Sequence, residues 1–241
     1  MLALFRVALL SALALMAAGD AVHRSGYVGP SAVPYAYPVT DDPAQELEPL
    51  AEQAGVSWPP DKLRLLALKE EKVLEVWVAG TEGSFHRIIT YAITAASGEA
   101  GPKRKEGDLQ VPEGFYRLTD LNPNSRFHLS IRVDYPNALD MENSRVPRSE
   151  MGGDIMVHGS AVSIGCIAIG DDAIERVYDL ISRVPRGRRE IWIAPVDFRV
   201  RPGFRIFVEE SWVDELYENL EEEMRKLPLS QAPIEATGSQ G

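Results

Sequence analysis

Strands dominate the hydrophobic pattern in the central part of this chain. One segment alternates strictly between apolar and polar positions, with Phe127, Leu129, Ile131 and Val133 on the apolar side, which is the period of a half-buried strand. The Asn-Pro-Asn sequence at 122–124 is one of several groups rich in Gly, Pro and Asn that are predicted to separate strands. Apolar or β-branched runs predict further strands at residues 63–68, 73–78, 85–93, 115–118, 155–157 and 190–193.

Two segments have the periodicity of amphipathic helices. Apolar residues recur at i, i+3, i+4 and i+7 over residues 174–181, with Asp171 as the predicted N-cap. A second helix is predicted to begin near Ser211, where Asp214 completes a partial capping box before an apolar stripe over residues 212–224. The pattern predicts a β-rich α+β fold, built as a twisted sheet or sandwich with a few flanking helices.

The first residues predict export. Arg6 precedes a short apolar run at 7–18 with small residues after it, which is typical of a secretory signal, here assigned to residues 1–21. The run is shorter than the roughly 20 residues that span a bilayer, although an uncleaved membrane anchor is an alternative. We therefore expect a periplasmic or other cell-envelope location.

The rest of the chain divides into four predicted parts. Residues 22–60 form a Pro-rich, mostly extended linker that includes a short helix over 44–54. Residues 61–205 form the folded domain, 206–227 a C-terminal amphipathic helix, and 228–241 a disordered tail. We expect the protein to be a monomer.

Composition narrows the function classes. The net charge is −11 and the pI is near 4.9, which argues against a nucleic-acid partner because phosphate binding needs a basic surface. Cys166 is the sole cysteine, so an intramolecular disulfide is excluded. A lone cysteine is either a buried small hydrophobe or a reactive thiol.

The surroundings of Cys166 favour a reactive thiol. His158 ends an apolar strand eight residues upstream, and a span of that length can fold back to bring imidazole to thiol. Gly159 and Gly165 make such a loop sterically easy and let backbone N–H groups near Gly165 and Cys166 approach an oxyanion. An imidazole beside the thiol is predicted to lower the thiol pKa and to protonate a leaving amine.

Two rival chemistries fit less well. The segment at 161–165 is a one-residue variant of the nucleophile elbow of serine hydrolases, centred on Ser163. In that fold the histidine follows the serine, whereas no histidine follows His158. The four histidines show no paired ligand spacing, so we predict no metal and no cofactor.

At these residues the chain resembles the L,D-transpeptidase catalytic domain. Its signature of His-Gly, a loop and Ser-x-Gly-Cys falls on His158-Gly159 and on Ser163-Ile164-Gly165-Cys166. The Pro-x-Gly-x-Tyr/Phe element of that family is matched at 112–116, and its first hairpin at 69–78. The resemblance covers about residues 61–200.

The departures from the common family pattern point to its YafK-like subgroup. The loop between His158 and Cys166 is short, Ala168 stands where most members have arginine, and Ile164 stands where a histidine is frequent. The sequences at 135–138 and 157–175 are also similar to this subgroup.

The resemblance implies a mechanism. Cys166 would attack the carbonyl of the third residue (meso-diaminopimelate) of a peptidoglycan stem peptide, with His158 as base and a thioester acyl-enzyme as the intermediate. Release by an amine would make the protein a transpeptidase. Release by water would make it an amidase or L,D-endopeptidase that cleaves the amide between peptidoglycan and an outer-membrane lipoprotein. Ser163 is expected to shape the loop, and Tyr135 and Arg145 to bind substrate. The non-enzyme alternative is a cell-wall-binding module with an inert thiol.

Overall fold

A computed structural model describes residues 35–229, and the predicted signal at 1–21 lies outside the described residues, as does the tail beyond 229. Nine strands join in the sheet order β3-β2-β1-β9-β5-β6-β7-β8-β4. The strands are β1 (Lys62–Leu68), β2 (Val73–Ala79), β3 (Phe85–Ala92), β4 (Ala95–Ala96), β5 (Gly114–Ser125), β6 (His128–Val133), β7 (Met156–His158), β8 (Ile167–Ala168) and β9 (Arg189–Ala194). The α-helices are α1 (Leu47–Gln53), α2 (Ala138–Glu142), α3 (Asp171–Arg183) and α4 (Trp212–Met224), with short 3₁₀ turns at Arg148–Glu150 and Arg186–Arg188.

The sheet is mixed, and β5 joins its two parts. Strands β1, β2 and β3 form an antiparallel meander, while β9 pairs parallel to β1 on one side and antiparallel to β5 on the other. The residues of β5 up to Arg117 pair with β9, and those from Leu118 onward pair with β6. The predicted β-rich α+β fold is confirmed.

The central strands are buried on both faces. Leu63, Leu65 and Ala67 of β1 belong to one core cluster, together with residues of α1 and α3, whereas Leu66 and Leu68 belong to a second cluster with residues of α4. This alternation follows from the two-residue period of a strand, which sends successive side chains to opposite faces. The sheet therefore lies between α1 and α3 on one side and α4 on the other.

One predicted turn is wrong, and two strands were not predicted. The Asn-Pro-Asn sequence at 122–124 lies within β5, because that strand continues to Ser125, which pairs with His128 across the hairpin. Phe127 therefore lies in the turn, outside β6, and is 38 % exposed. Strands β4 and β8 have only two residues each, which is too short to produce a visible pattern.

The predicted caps of α3 and α4 differ from those in the structure. Gly170, at φ +83°, is the N-cap of α3, so Asp171 is its first helical residue. Ser211 precedes α4 but caps it with no side-chain hydrogen bond, so the predicted capping box is wrong. The helix predicted within residues 44–54 is α1, whose buried Leu47 and Ala51 belong to the core. Within residues 35–229, no helix is long and apolar enough to cross a membrane.

A buried ion pair fastens the loop between β4 and β5 to the sheet. The Nζ of Lys69 donates to Glu113 Oε1 at 2.8 Å and to the carbonyls of Gly101 and Val111 at 3.1 and 3.0 Å. Glu113 also accepts from Gly101 N and from the Tyr217 hydroxyl of α4. All three N–H donors of the Lys69 ammonium are therefore used. The loop at 97–111 (hereafter the 97–111 loop) is held to the end of β1 at Gly101 and at Val111.

Candidate active site

Two neighbouring parallel strands bring His158 and Cys166 together. Val157 of β7 is paired with Ile167 of β8, and His158 with Ala168, so Cys166 lies level with Met156. Val157 and Ile167 point into the core. His158 therefore points away from this core, and Cys166, which directly precedes β8, has its Cα roughly 8 Å from that of His158 by strand rise and spacing. The predicted pair of residues is adjacent in space.

The thiol of Cys166 is held by the start of β7. Its Sγ lies 3.6 Å from the Asp154 carbonyl, to which the thiol donates, and the Met156 amide hydrogen-bonds to the sulfur. Burial raises the pKa of the thiol, as does the charge of Asp154, while the Met156 amide and the charge of Lys103 act in the opposite direction. The prediction of a lowered thiol pKa is therefore wrong for this conformation.

The imidazole of His158 is fixed as one tautomer. Its Nδ1 lies 2.5 Å from the Gly159 carbonyl, which can only accept, so Nδ1 carries the proton and Nε2 keeps its lone pair. Burial lowers the pKa of His158, and the Gly159 hydrogen bond opposes this shift. The ring is thus neutral near pH 7 and presents a base at Nε2.

Neither group hydrogen-bonds to the other within the described residues. The imidazole contacts the Gly159 carbonyl and the Phe127 ring, while the thiol contacts Asp154 and Met156. The pair is therefore a neutral thiol and a neutral imidazole, which fits base-assisted attack better than a preformed ion pair. A catalytic hydrogen bond of this kind commonly forms only when the substrate is bound.

Hydroxyl groups hold the loop that precedes the thiol. Ser163 Oγ accepts from Cys166 N at 3.0 Å and donates to Cys166 O at 2.5 Å, so Ser163 shapes the loop as expected. Gly165 N donates to Ser97 Oγ at 2.7 Å. The amides of Gly165 and Cys166, predicted as oxyanion donors, both donate to these hydroxyls here, and their role toward an oxyanion stays a prediction.

The two predicted substrate-binding side chains lie elsewhere. Tyr135 is only 2 % exposed, belongs to the core and donates to the Met151 carbonyl, and its role in substrate binding stays a prediction. Arg145 is exposed, but its guanidinium forms ion pairs with Glu209 and Glu210 at 3.5 and 3.3 Å. Its role in substrate binding stays a prediction.

Several residues of the site carry no clear sequence signal. The 97–111 loop supplies Ser97 and Lys103, and the segment before β7 supplies the Asp154 carbonyl. Asp171 Oδ1 accepts from Ser160 N at 2.7 Å and holds Ser160 at φ +64°. The Gly101-Pro102-Lys103 sequence, with Asp108 five positions on from the lysine, was the available hint, because a charged pair between turn residues predicts an ordered loop. Among residues 35–229, no group of three His, Cys, Asp or Glu side chains is placed to hold a metal ion.

Replacing Gly159 by Ala should destabilise the fold. A Cβ at this position would lie 2.5 Å from Asp171 Oδ1 and 2.8 Å from the Phe127 carbonyl, so backbone has to move. We expect a loss of about 2–3 kcal/mol in the free energy of unfolding, read from the urea midpoint at constant slope. Gly187→Ala is the matched control, since its Cβ meets nothing within 4 Å, and an equal effect in both variants would contradict the packing argument.

Removing the Phe127 ring should raise the pKa of His158. The two rings are 4.7 Å apart at an interplanar angle of 31°, so Phe127 shields the imidazole from water. Burial is the largest cause of the lowered His158 pKa, and Phe127→Ala should therefore move that pKa up toward 6.5. Titration of the ring protons by NMR measures the shift. Phe207→Ala, at another exposed phenylalanine, should leave it unchanged, and an unmoved pKa in Phe127→Ala would show that other groups cause the burial.

Comparison with known proteins gives the family. The model of the L,D-transpeptidase catalytic domain (YkuD) matches residues 64–201, which is more than half of the chain. A protein of Escherichia coli K12 named "Putative L,D-transpeptidase YafK" is 34 % identical over 116 residues, which are 47 % of this chain and 45 % of that protein. The chain therefore matches slightly less than half the length of this relative.

Solved structures show weaker likeness. The helical cell shape determining protein Pgp2 from Campylobacter jejuni is 24 % identical, with a TM-score of 0.44 over 56 % of this chain and 47 % of that one. Bd1075 of Bdellovibrio bacteriovorus is 22 % identical, with a TM-score of 0.42 over 76 % and 61 %. The assignment rests on the sequence match instead, since that match spans both the His158-Gly159 pair and Cys166. The chain belongs to the L,D-transpeptidase catalytic-domain family.

Proposed function

We propose that this protein is a peptidoglycan-modifying cysteine acyl-transfer enzyme, with Cys166 as nucleophile and His158 as base. The observation that carries the proposal is the fixed tautomer of His158 beside the thiol. Nδ1 is tied to the Gly159 carbonyl at 2.5 Å, which leaves Nε2 as the proton acceptor, and His158 lies on the strand next to the one that Cys166 directly precedes.

The proposed reaction starts at the third residue of a stem peptide. Nε2 of His158 takes the thiol proton as Sγ of Cys166 attacks the carbonyl carbon, giving a tetrahedral oxyanion. The intermediate collapses as the C–N bond breaks, and His158 gives its proton to the departing amine. A thioester on Cys166 remains, and an amine or water then attacks it and returns the thiol.

The oxyanion needs a donor, and the Cys166 amide is the best placed. Its present acceptor, Ser163 Oγ, also donates to the Cys166 carbonyl, so that hydroxyl stays bonded when the amide turns to a substrate. For the Cys166 amide, exchange of the neutral Ser163 oxygen for a charged oxyanion is favourable in a site of low polarity.

A second candidate differs in both the leaving group and the acceptor: the amine that departs is that of an outer-membrane lipoprotein joined to peptidoglycan by an amide, and water then releases the acyl group from Cys166. The exposed side chains of Val162 and Ile164, in the loop just before Cys166, favour it. Such a hydrophobic rim suits a polypeptide leaving group better than a single polar amino acid.

Digestion of purified sacculi by the full-length protein separates these outcomes. The products are read by mass spectrometry, with and without an added D-amino acid as acceptor. Transfer gives stems that carry the acceptor on their third residue, whereas hydrolysis gives free tripeptide stems or sacculi stripped of attached polypeptide. No change in any muropeptide, in a preparation whose thiol is intact, would reject the proposed function.

The proposed location is the cell envelope. The Arg6-led apolar run at the N-terminus supports it, and so does a wall substrate. Fractionation of cells that express the full chain should place the protein outside the cytosol. A variant with Asp at two positions of the apolar run should stay inside, and a wild-type chain recovered only from the cytosol would reject the proposal.

A further inference from the structure

The 97–111 loop lies against both supports of the Cys166 thiol. On one side Ser97 Oγ accepts from Gly165 N, and the Gln110 carbonyl would be 3.3 Å from a Cβ at Gly165. On the other side Glu106 N donates to Glu150 O at 2.8 Å, in the segment that leads to Asp154. Since Gly165 precedes the cysteine and the Asp154 carbonyl touches its sulfur, the loop is next to the thiol.

Lys103 is the buried cation of this loop. Its side chain is only 6 % exposed, and its Nζ donates to Asp108 Oδ1 at 2.6 Å and to the Lys105 carbonyl at 2.8 Å. An ammonium has three donors, so one remains for another partner. These two hydrogen bonds fix the position of the ammonium. A buried lysine without such partners would be strongly disfavoured.

The partner of Lys103 is itself saturated. Asp108 accepts from the amides of Arg104, Lys105 and Gln110 as well as from the lysine. These backbone bonds hold the carboxylate in addition to the bond from Lys103. The charge of Lys103 also acts on the Cys166 thiol, where it favours the thiolate.

We propose that Lys103 is a positioning residue that acts through its charge. Its fixed ammonium stabilises the Cys166 thiolate that forms when His158 takes the thiol proton. The inference rests on the proposed role of Cys166 as nucleophile. The other charged group that acts on the sulfur is Asp154, whose carboxylate pairs with Arg132. His158 is neutral until it takes the thiol proton, and Asp108, Glu106 and Glu150 belong to the 97–111 loop and to the segment before β7. Of these, Asp154 opposes a thiolate, and its ion pair with Arg132 at 2.7 Å weakens that opposition.

Alkylation with two reagents of different charge tests this role without any wall substrate. Iodoacetate is an anion and iodoacetamide is neutral, so a cation at the thiol favours iodoacetate, and the ratio of the two rates reports the local charge. In the folded wild-type protein, the ratio should exceed that of a blocked cysteine in solution. Lys103→Met should lower the ratio roughly 3- to 10-fold and raise the thiol pKa in the pH profile of alkylation, as expected for loss of a nearby charge at intermediate dielectric.

Two variants separate charge from structure. Lys103→Arg keeps the charge and should keep both the ratio and the pH profile near wild type. Lys105→Met removes the same charge from an exposed side chain of the same loop, where solvent screens it, and should change neither. Equal ratios in wild type and Lys103→Met, or a wild-type ratio no higher than that of the blocked cysteine, would overturn the inference.

A wild-type thiol that resists both reagents in the folded protein would also overturn it, because the charge would then have no accessible sulfur to act on. None of these results depends on peptidoglycan chemistry. The proposed function fails separately, when sacculi remain unchanged. Failure of the Lys103 inference is therefore distinguishable from failure of the enzyme assignment.

Discussion

We expect Cys166→Ala to lose turnover on muropeptides by on the order of 10⁴-fold or more, because no other group of the site can form the acyl-enzyme. The fold should survive. The thiol makes one long hydrogen bond, at 3.6 Å to the Asp154 carbonyl, and accepts one from the Met156 amide. Their loss should cost about 1 kcal/mol of unfolding free energy, within the range of ordinary substitutions.

The measurement compares product formation from sacculi by wild type and Cys166→Ala at equal concentrations of folded protein. Circular dichroism and the urea midpoint serve as the folding control. Cys166→Ser is a second comparison, since a hydroxyl of similar size is a far weaker nucleophile at neutral pH and should be nearly as inactive. Turnover near the wild-type level in either variant would refute the cysteine mechanism. Binding of sacculi by wild type with no product at all would instead favour a wall-binding module.

His158→Gln should lower kcat by about 10²- to 10⁴-fold, which is the usual contribution of a positioned general base. The pH profile should change as well. Burial lowers the pKa of His158 from 6.5, so the wild-type imidazole stays a base below that pH, and activity falls only as pH falls through the lowered value. The variant has no such group, and its residual activity should lack this acid limb.

The pH dependence of the unfolding free energy is an independent measure of the lowered pKa of His158. The unfolded chain holds a proton on His158 more tightly than the folded chain, so folding is progressively disfavoured as pH falls below about 6.5. His158→Gln should remove this part of the acid destabilisation. His128→Gln is the matched control, because that histidine is exposed and pairs with Glu175 at 2.7 Å. In the activity assay, a wild-type kcat in His158→Gln as well as in His128→Gln would show that His158 is not the base.

Much of the fold followed from local periodicity, and its errors have local causes. The strand at 128–133 was predicted from alternation, yet Ser130, on the polar side of that pattern, is buried. Its place opposite His158 in the β6–β7 pair explains this, and such a pairing cannot be read from the segment itself. Phe127 fitted the apolar side of the same pattern, but the hairpin ends beside it and turns its ring onto the imidazole.

The closeness of His158 and Cys166 was predictable from the sequence, whereas the direction of the Cys166 pKa shift was not. The spacing of His158, Gly165 and Cys166 marks a loop, and the structure places the histidine on β7 and the cysteine directly before the neighbouring β8. The pKa directions depend on what covers each group. Phe127 packs on the imidazole, and the 97–111 loop packs beside the thiol. Both are distant in sequence from Cys166, so the motif alone predicted a lowered pKa for Cys166 where burial raises it.

The position of β9 has a consequence for how the chain folds. In the sheet it stands between β1 and β5, so it is the strand that joins the β1–β3 meander to the half that carries the site. Residues 189–194 pair with strands that begin at Lys62 and Gly114, and closing such long loops costs entropy before any contact rewards it. We expect the local hairpins of the two parts to form first. Their union waits for a late, non-local step, and a chain that ends before Arg189 cannot complete the sheet.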